Sequence, residues 1–414
     1  MKQVVSLFGR LTLERSYYHC VKCGWSDRPW DRTLGLTRRG VTPAAARVIC
    51  QAGVLASFAD AALDQLPTMC GLRLSESTVE RVCEEEGERV ARRLAAGETA
   101  GPSSSWAWER DALGHTVAYV GIDHTGVPQQ GPGGRRADHR MAAVGTVYNP
   151  QSEHDDARDV APRTDSTTAR PAEPATESPV PPPVPSAPKS RKKSRAKSRT
   201  ALQAETRRAR FIAGFYSLED FGRALRREAE AVGVLQADVQ IALSDGGAGL
   251  EATLKRFFPN AVCIIDFWHA KEHLVELAKA LWPADAEARQ GWLHQQCHRL
   301  KHSGGAAVLK ELKSLDVTDR TAAVQELHRQ QVGYFENHAH RMDYPTYVAN
   351  GWQIGSGPVE AACKQVVSRR LKSGGMRWSE PGSAALCHLR ALYLSDRACW
   401  NSHWASNAAD HLQI

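Results

Sequence analysis

RRARFIAGFYS (207–217), DVQIALSD (238–245) and AVCIIDFWHA (261–270) are short runs rich in β-branched and aromatic residues, and they decide the fold. Between them, LEDFGRALRREAEAVG (218–233) and AGLEATLKRFF (248–258) repeat apolar residues at three- and four-residue spacing, which predicts two helices. Working outward, HTVAYVGID (115–123) and RMAAVGTVYN (140–149) have strand periodicity and flank the turn-forming PQQGPGG (128–134), which predicts a β-hairpin. The order is three consecutive strands, a helix, a strand, a helix and a further strand.

That order matches a ribonuclease H-like core of the α+β or α/β class. It requires residues 151–208 to be set aside as an insert between 106–150 and 209–270, the first two parts of the core. The insert contains ESPVPPPVPSAPKSRKKSRAKSR (177–199). Poor in large apolar residues and rich in Pro, Ser, Lys and Arg, it buries too little surface to offset its chain entropy, so it is expected to be disordered. Its basic half suits phosphates, although a solvated linker is the commoner meaning of such a run.

Helical signals flank the core on both sides. Within 37–105, TPAAARVICQAGVLASFADAALDQLPTMC (42–70) and SESTVERVCEEEGERVARRL (75–94) read as helix, Gly-containing turn and Ser-capped helix. This resembles a helix-turn-helix, so residues 42–94 are expected to bind DNA, with a plain helical hairpin as the alternative. Residues 271–347 read as an α-helical insertion, 348–400 as the last part of the core with a basic helix, and 401–414 as a frayed tail. Residues 1–36 form a β-like stretch and half of a zinc ribbon, Cys20 and Cys23. A structural zinc takes four ligands, so His19 or a partner chain would have to complete it; the alternative is a relic of a longer N-terminus.

The formal charge of +7 is compatible with an anionic partner such as nucleic acid. No apolar run approaches the roughly 20 residues that span a bilayer, and the first residues lack a secretory pattern, so no membrane partner is expected. The ten cysteines are mostly scattered singly, which predicts buried thiols rather than a disulfide framework.

Asp123 and Asp245 are read as strand-ending aspartates, each followed by a flexible segment, and Glu360 as lying in the first turn of a helix after GWQIGSGPV (351–359). Either aspartate alone could merely cap a helix, but two with the glutamate make a stronger set. Phosphodiester cleavage needs an activated water or 3′-hydroxyl and neutralisation of charge on the phosphate. Two Mg²⁺ (or Mn²⁺) ions about 3.5–4 Å apart do both, and three carboxylates can hold them.

With these blocks in view, YVGIDHTGVP (119–128), LSDGGAGL (243–250) with IDFWHAKEHL (265–274), GSGPVEAACKQ (355–365) and KSGGMRW (372–378) resemble the motifs of ISKra-type insertion-sequence transposases. These are DDE enzymes related to Mutator and hAT elements, and SYYHCVKCGWSDRPWDRTLGL (16–36) is similar to the family's start. The resemblance implies a DNA transposase with Asp123, Asp245 and Glu360 as the catalytic triad. It further implies terminal-repeat and target DNA as partners, a homo-oligomer on DNA, and a bacterial cytoplasmic, nucleoid-associated setting. Asp266 and His269 resemble the family's (C/D)xxH block and are expected beside the site, against the alternative of a helix cap and a core histidine. Lys364, Arg369, Arg370, Lys372, Arg377 and Trp378 are expected to contact DNA, the indole by stacking on an unpaired base; a solvated helix face with a core Trp explains the same letters. Two other functions stay open: a nuclease or resolvase without strand transfer, and a catalytically silent DNA-binding descendant.

Overall fold

Two small antiparallel hairpins open the chain: β1 (Lys2–Ser6) with β2 (Gly9–Leu13), and β3 (Tyr18–His19) with β4 (Ser26–Asp27). The computed structural model describes residues 1–150 and 208–409, which belong to one compact unit. The stretch expected to be disordered lies, apart from Arg208, outside the described residues.

Helices follow where the capping signals put them. Thr42 accepts a hydrogen bond from Ala45 N to start α1 (Pro43–Leu55), and Ser75 accepts one from Thr78 N to start α2 (Glu76–Ala95). The intervening helical run ends at Cys70 and leaves through Gly71 at φ 70°, a conformation that favours glycine. The helix-turn-helix pattern is therefore present locally. Along α2, however, Glu76, Glu80, Glu84 and Glu88 recur every fourth residue. Burial, then repulsion from Glu80 and Glu88, raises the Glu84 carboxyl above its ordinary range. Such a stripe opposes DNA phosphates, a physical obstacle to α2 as a reading helix.

The central sheet contains β5 (Glu109–Arg110), β6 (Thr116–Gln130), β7 (Arg136–Tyr148), β8 (Ala209–Gly214), β9 (Val239–Ser244) and β10 (Val262–Ile265). Their order is β10-β9-β6-β7-β8, with β5 pairing on β6. β9 is parallel to β6 and β10, whereas β7 is antiparallel to β6 and β8. α3 (Leu218–Ala231) joins β8 to β9, and α4 (Leu250–Phe257) joins β9 to β10. The fold is thus mixed α/β, with the predicted element order.

One expectation is corrected. Asp123 does not end its strand: β6 continues to Gln130, paired with β7 from Asp123↔Val144 to Gln130↔Arg136. What ends near Asp123 is the parallel ladder, because the last β6–β9 pair is Gly121↔Leu243. The remainder is a two-stranded ribbon whose register shifts between Val127 and Gln129, at Pro128, which has no N–H to donate.

Successive residues of β6 face two cores. Val117 and Tyr119 join one, and Ala118, Val120 and Ile122 the other. With both faces covered, the strand lacks polar alternation, as in buried parallel sheets. Residues of α1, α2 and α3 fill the second core. The first is closed by α5 (Phe267–Leu281), α6 (Ala286–Ser314) and α7 (Ala322–His338), so the expected block is made of helices joined by short loops and starts at Phe267, directly after β10. α6 breaks at Gly304 (φ 79°), where an added Cβ would stand 3.0 Å from Met342 O.

The chain returns to the sheet through α8 (Gly357–Ala362), α9 (Glu380–Leu394) and α10 (Arg397–Ala409). α9 crosses α2 at Gly87, where a Cβ would meet the Ala385 carbonyl oxygen at 2.2 Å. The frayed-tail expectation from residue 401 fails for 401–409, because Trp400, His403 and Trp404 are buried and hold that helix on the core; residues 410–414 lie outside the described ones. Among the described residues, no helix is long and apolar enough to cross a membrane.

Candidate active site

The sheet brings the two aspartates to one end of the parallel ladder: Asp123 lies two residues past the last β6–β9 pair, Gly121↔Leu243, and Asp245 directly follows β9. Asp123 is half-buried, and burial, then the negative charge of Asp245, pushes its carboxyl above the usual range. Its Oδ1 accepts the His124 N–H at 2.6 Å, and its Oδ2 accepts the Cys363 thiol at 3.3 Å. Asp245 Oδ1 accepts the Gly247 N–H at 2.8 Å.

Glu360 arrives from the opposite end of the sequence. Pro358 lies in the first turn of α8, where its missing N–H costs nothing. Val359 is buried against β6 so tightly that a Cβ on Gly121 would lie 2.1 Å from Val359 Cγ2. Glycine at 121 therefore lets α8 dock over the strand two residues before Asp123. Glu360 comes next and stays exposed. Partial burial raises its carboxyl first, followed by the charges of Asp266, Glu272 and Asp123, with His269 opposing. Asp123, Gly357, Glu360, Ala361, Cys363, Lys364 and Ser368 line one open cleft of about 450 Å³. Asp245 adjoins Asp123 without lining that cleft. Among the described residues no three His, Cys, Asp or Glu side chains close around a single ion position, so the carboxylates border the region pairwise.

Asp266 lies at the end of β10 but plays a different part. Only 2% exposed, it caps α5 by accepting Trp268 N at 3.0 Å, and it also accepts Ser356 N at 3.1 Å and Ser356 Oγ at 2.6 Å. Phe267 N donates to Ile354 O at 2.9 Å alongside. Asp266 is thus both the helix cap and the clamp on the loop that delivers Glu360. His269 stands one turn into α5, with Nδ1 3.5 Å from Glu272 Oε2.

The basic strip divides. Lys364 lines the cleft, Arg369 is exposed, Lys372 Nζ donates to Thr125 Oγ1 at 2.6 Å, and Arg377 Nη1 donates to Gly134 O at 3.2 Å. Arg370 and Trp378 are not available to DNA, which corrects their assignment. The guanidinium of Arg370 donates to Gly53 O at 2.8 Å and lies 4.5 Å from the ring centre of Phe58 and 5.1 Å from that of Trp378. Burial lowers its pKa to about 10. Trp378 is 8% exposed, and its indole N–H donates to Leu371 O at 2.9 Å. The sequence pattern could not separate them, since Arg369 and Arg370 are adjacent and only helix phase decides which faces inward.

At the N-terminus, Cys20 and Cys23 share one tight turn: Gly24 N donates to Cys20 O at 2.9 Å, and Cys20 N donates to Trp25 O at 2.7 Å. Hydrogen bonds from Cys23 and Lys22 lower the Cys20 thiol. The pair offers two of the four ligands of a structural zinc, and among the described residues no third is gathered with it. Cys363, one of the singly placed thiols expected to be merely buried, is the residue at this site that the sequence does not single out. Its spacing of three from Glu360 was the available signal, because residues three apart share a helix face. No family model matches the chain, and no curated protein matches it in sequence.

Proposed function

We propose that this chain is a DDE-type DNA transposase in which Asp123, Asp245 and Glu360 hold two divalent cations. The observation that carries this reading is that Asp123, on the long central strand, feels the charge of Asp245 just past the neighbouring parallel strand and shares one cleft with the helix-borne Glu360. Two strands on one side, antiparallel in sequence, and two parallel ones on the other support a ribonuclease H-like core. A helical block enters after β10, and the chain then returns with Glu360, in keeping with an insertion domain.

The donor set fits Mg²⁺ or Mn²⁺: hard carboxylate oxygens whose mutual repulsion a cation would relieve. When bound, such ions make a water or 3′-hydroxyl nucleophilic and offset charge on the phosphate. The remaining work falls to the chain. Lys364 in the cleft and Lys372 at Thr125 bring cations beside the carboxylates that are able to seat the DNA backbone, Arg369 and Arg377 extend the basic strip away from them, and His269 counters charge at Glu360. Asp266 fixes the loop that aims Glu360.

Glu360→Gln keeps the size and helix propensity but removes the charge. Cleavage of transposon-end DNA and strand transfer should both fall by roughly a thousandfold or more, with folding and DNA binding retained. An active Gln variant would leave Glu360 as a helix-start residue of about 0.3–1 kcal/mol and overturn the triad. Cleavage without joining in the native chain would instead identify a nuclease.

A further inference from the structure

We infer that Cys363 is a positioning residue for this site, its thiol fixing the orientation of the Asp123 carboxylate that would hold a cation. The inference rests on the proposed metal-dependent reading and adds a residue to it. Cys363 Sγ stands 3.3 Å from Asp123 Oδ2, a normal separation for a thiol donor. A carboxylate oxygen has two acceptor positions. On Asp123 one position of Oδ1 is taken by the His124 N–H at 2.6 Å and one of Oδ2 by Cys363. One remains on each oxygen, where a cation would be held.

The thiol is held there by the same docking that places Glu360. Cys363 follows Glu360 by three residues, close enough along the helix for both to line the cleft, Glu360 exposed and Cys363 buried against Asp123. Val359, the residue before Glu360, packs against Gly121 and fixes the helix over that strand. From Cys363 to Ser368 the backbone switches to i→i+5 hydrogen bonding, a widened turn often found at functional sites. Cys363 is 7% exposed and lines the cleft with Asp123 and Glu360. A small apolar residue would fill this space equally well, but only a donor reaches Asp123.

Three full-length variants separate donation from packing: Cys363→Ser keeps a donor, Cys363→Ala removes volume and donor, and Cys363→Val keeps volume without a donor. Two readouts are compared, Mn²⁺ binding followed by electron paramagnetic resonance and the Mg²⁺ dependence of end-DNA cleavage. Ala and Val should both weaken metal binding by about tenfold to a hundredfold, as loss of a group that orients a metal ligand typically does, whereas Ser should restore most of it. If Ala fails to fold, Val against Ser makes the same comparison. Wild-type metal profiles in all variants, or a Ser variant as impaired as Val, would overturn the inference. A native chain that binds no Mn²⁺ would instead overturn the metal-site reading beneath it.

Discussion

β9 and β10 are neighbouring parallel strands, each followed at once by an aspartate, yet the two carboxylates have opposite fates. Asp266 is buried and accepts three hydrogen bonds, one from the start of α5 and two from Ser356. Asp245 is only partly buried, accepts one from Gly247 N, and lies near enough to Asp123 for its charge to raise that carboxyl. The difference teaches that a strand-end position brings an acidic residue to the edge without making it reactive. What decides is how far its oxygens are buried and already consumed: a buried carboxylate with three of its four acceptor positions used is scaffold, and one with most positions to spare can bind a cation.

The sharpest way to break this comparison is Asp245→Asn. If Asp245 is a ligand and not a scaffold, end-DNA cleavage should fall by roughly a thousandfold or more while the thermal midpoint moves by only a few degrees. A variant that cuts normally, or unfolds, would place Asp245 with Asp266. Asp266→Ala should show the reverse balance. Removing the acceptor strands the buried Ser356 donors and a helix cap, a loss of about 2–4 kcal/mol in urea unfolding. Activity should drop less than in Asp245→Asn, because the loop is loosened and no ligand is lost. Unchanged stability with abolished cleavage would make Asp266 part of the chemistry.

Arg369 and Arg370 repeat the contrast with opposite charge and smaller effects. Arg370→Ala should destabilise by about 2–3 kcal/mol, through loss of its bond to Gly53 O and its stacking between Phe58 and Trp378. Arg369→Ala should shift stability by less than about 0.5 kcal/mol but lower the salt dependence of DNA binding by about 0.9 in log–log slope for one lost phosphate contact. Equal effects of the two on the salt slope would count against the buried assignment of Arg370.

How much of this was legible beforehand depended on the range of the interaction. The strand and helix order from 106 to 270 was readable because periodicity and caps are local: Thr42, Ser75 and Ser217 each bond an amide within three residues. The acidic stripe on α2 is equally legible in the letters and opposes the DNA role that the helix-turn-helix pattern suggests. The continuation of β6 past Asp123 was not, since it depends on β7 remaining paired after β9 has ended.

The amino-acid sequence by itself determined which segments become strands and helices, that Glu360 begins a helix, and that acidic residues follow β9 and β10, because short-range sterics and capping specify these. Only the tertiary structure decided which charged groups are free. Arg370 is drawn inward by Phe58, Trp378 and Gly53, and Asp266 is spent on Ser356 ninety residues away. Cys363 is carried to Asp123 by the packing of Val359 on Gly121. Burial and hydrogen-bond consumption are properties of contacts between distant segments, and no local pattern encodes them.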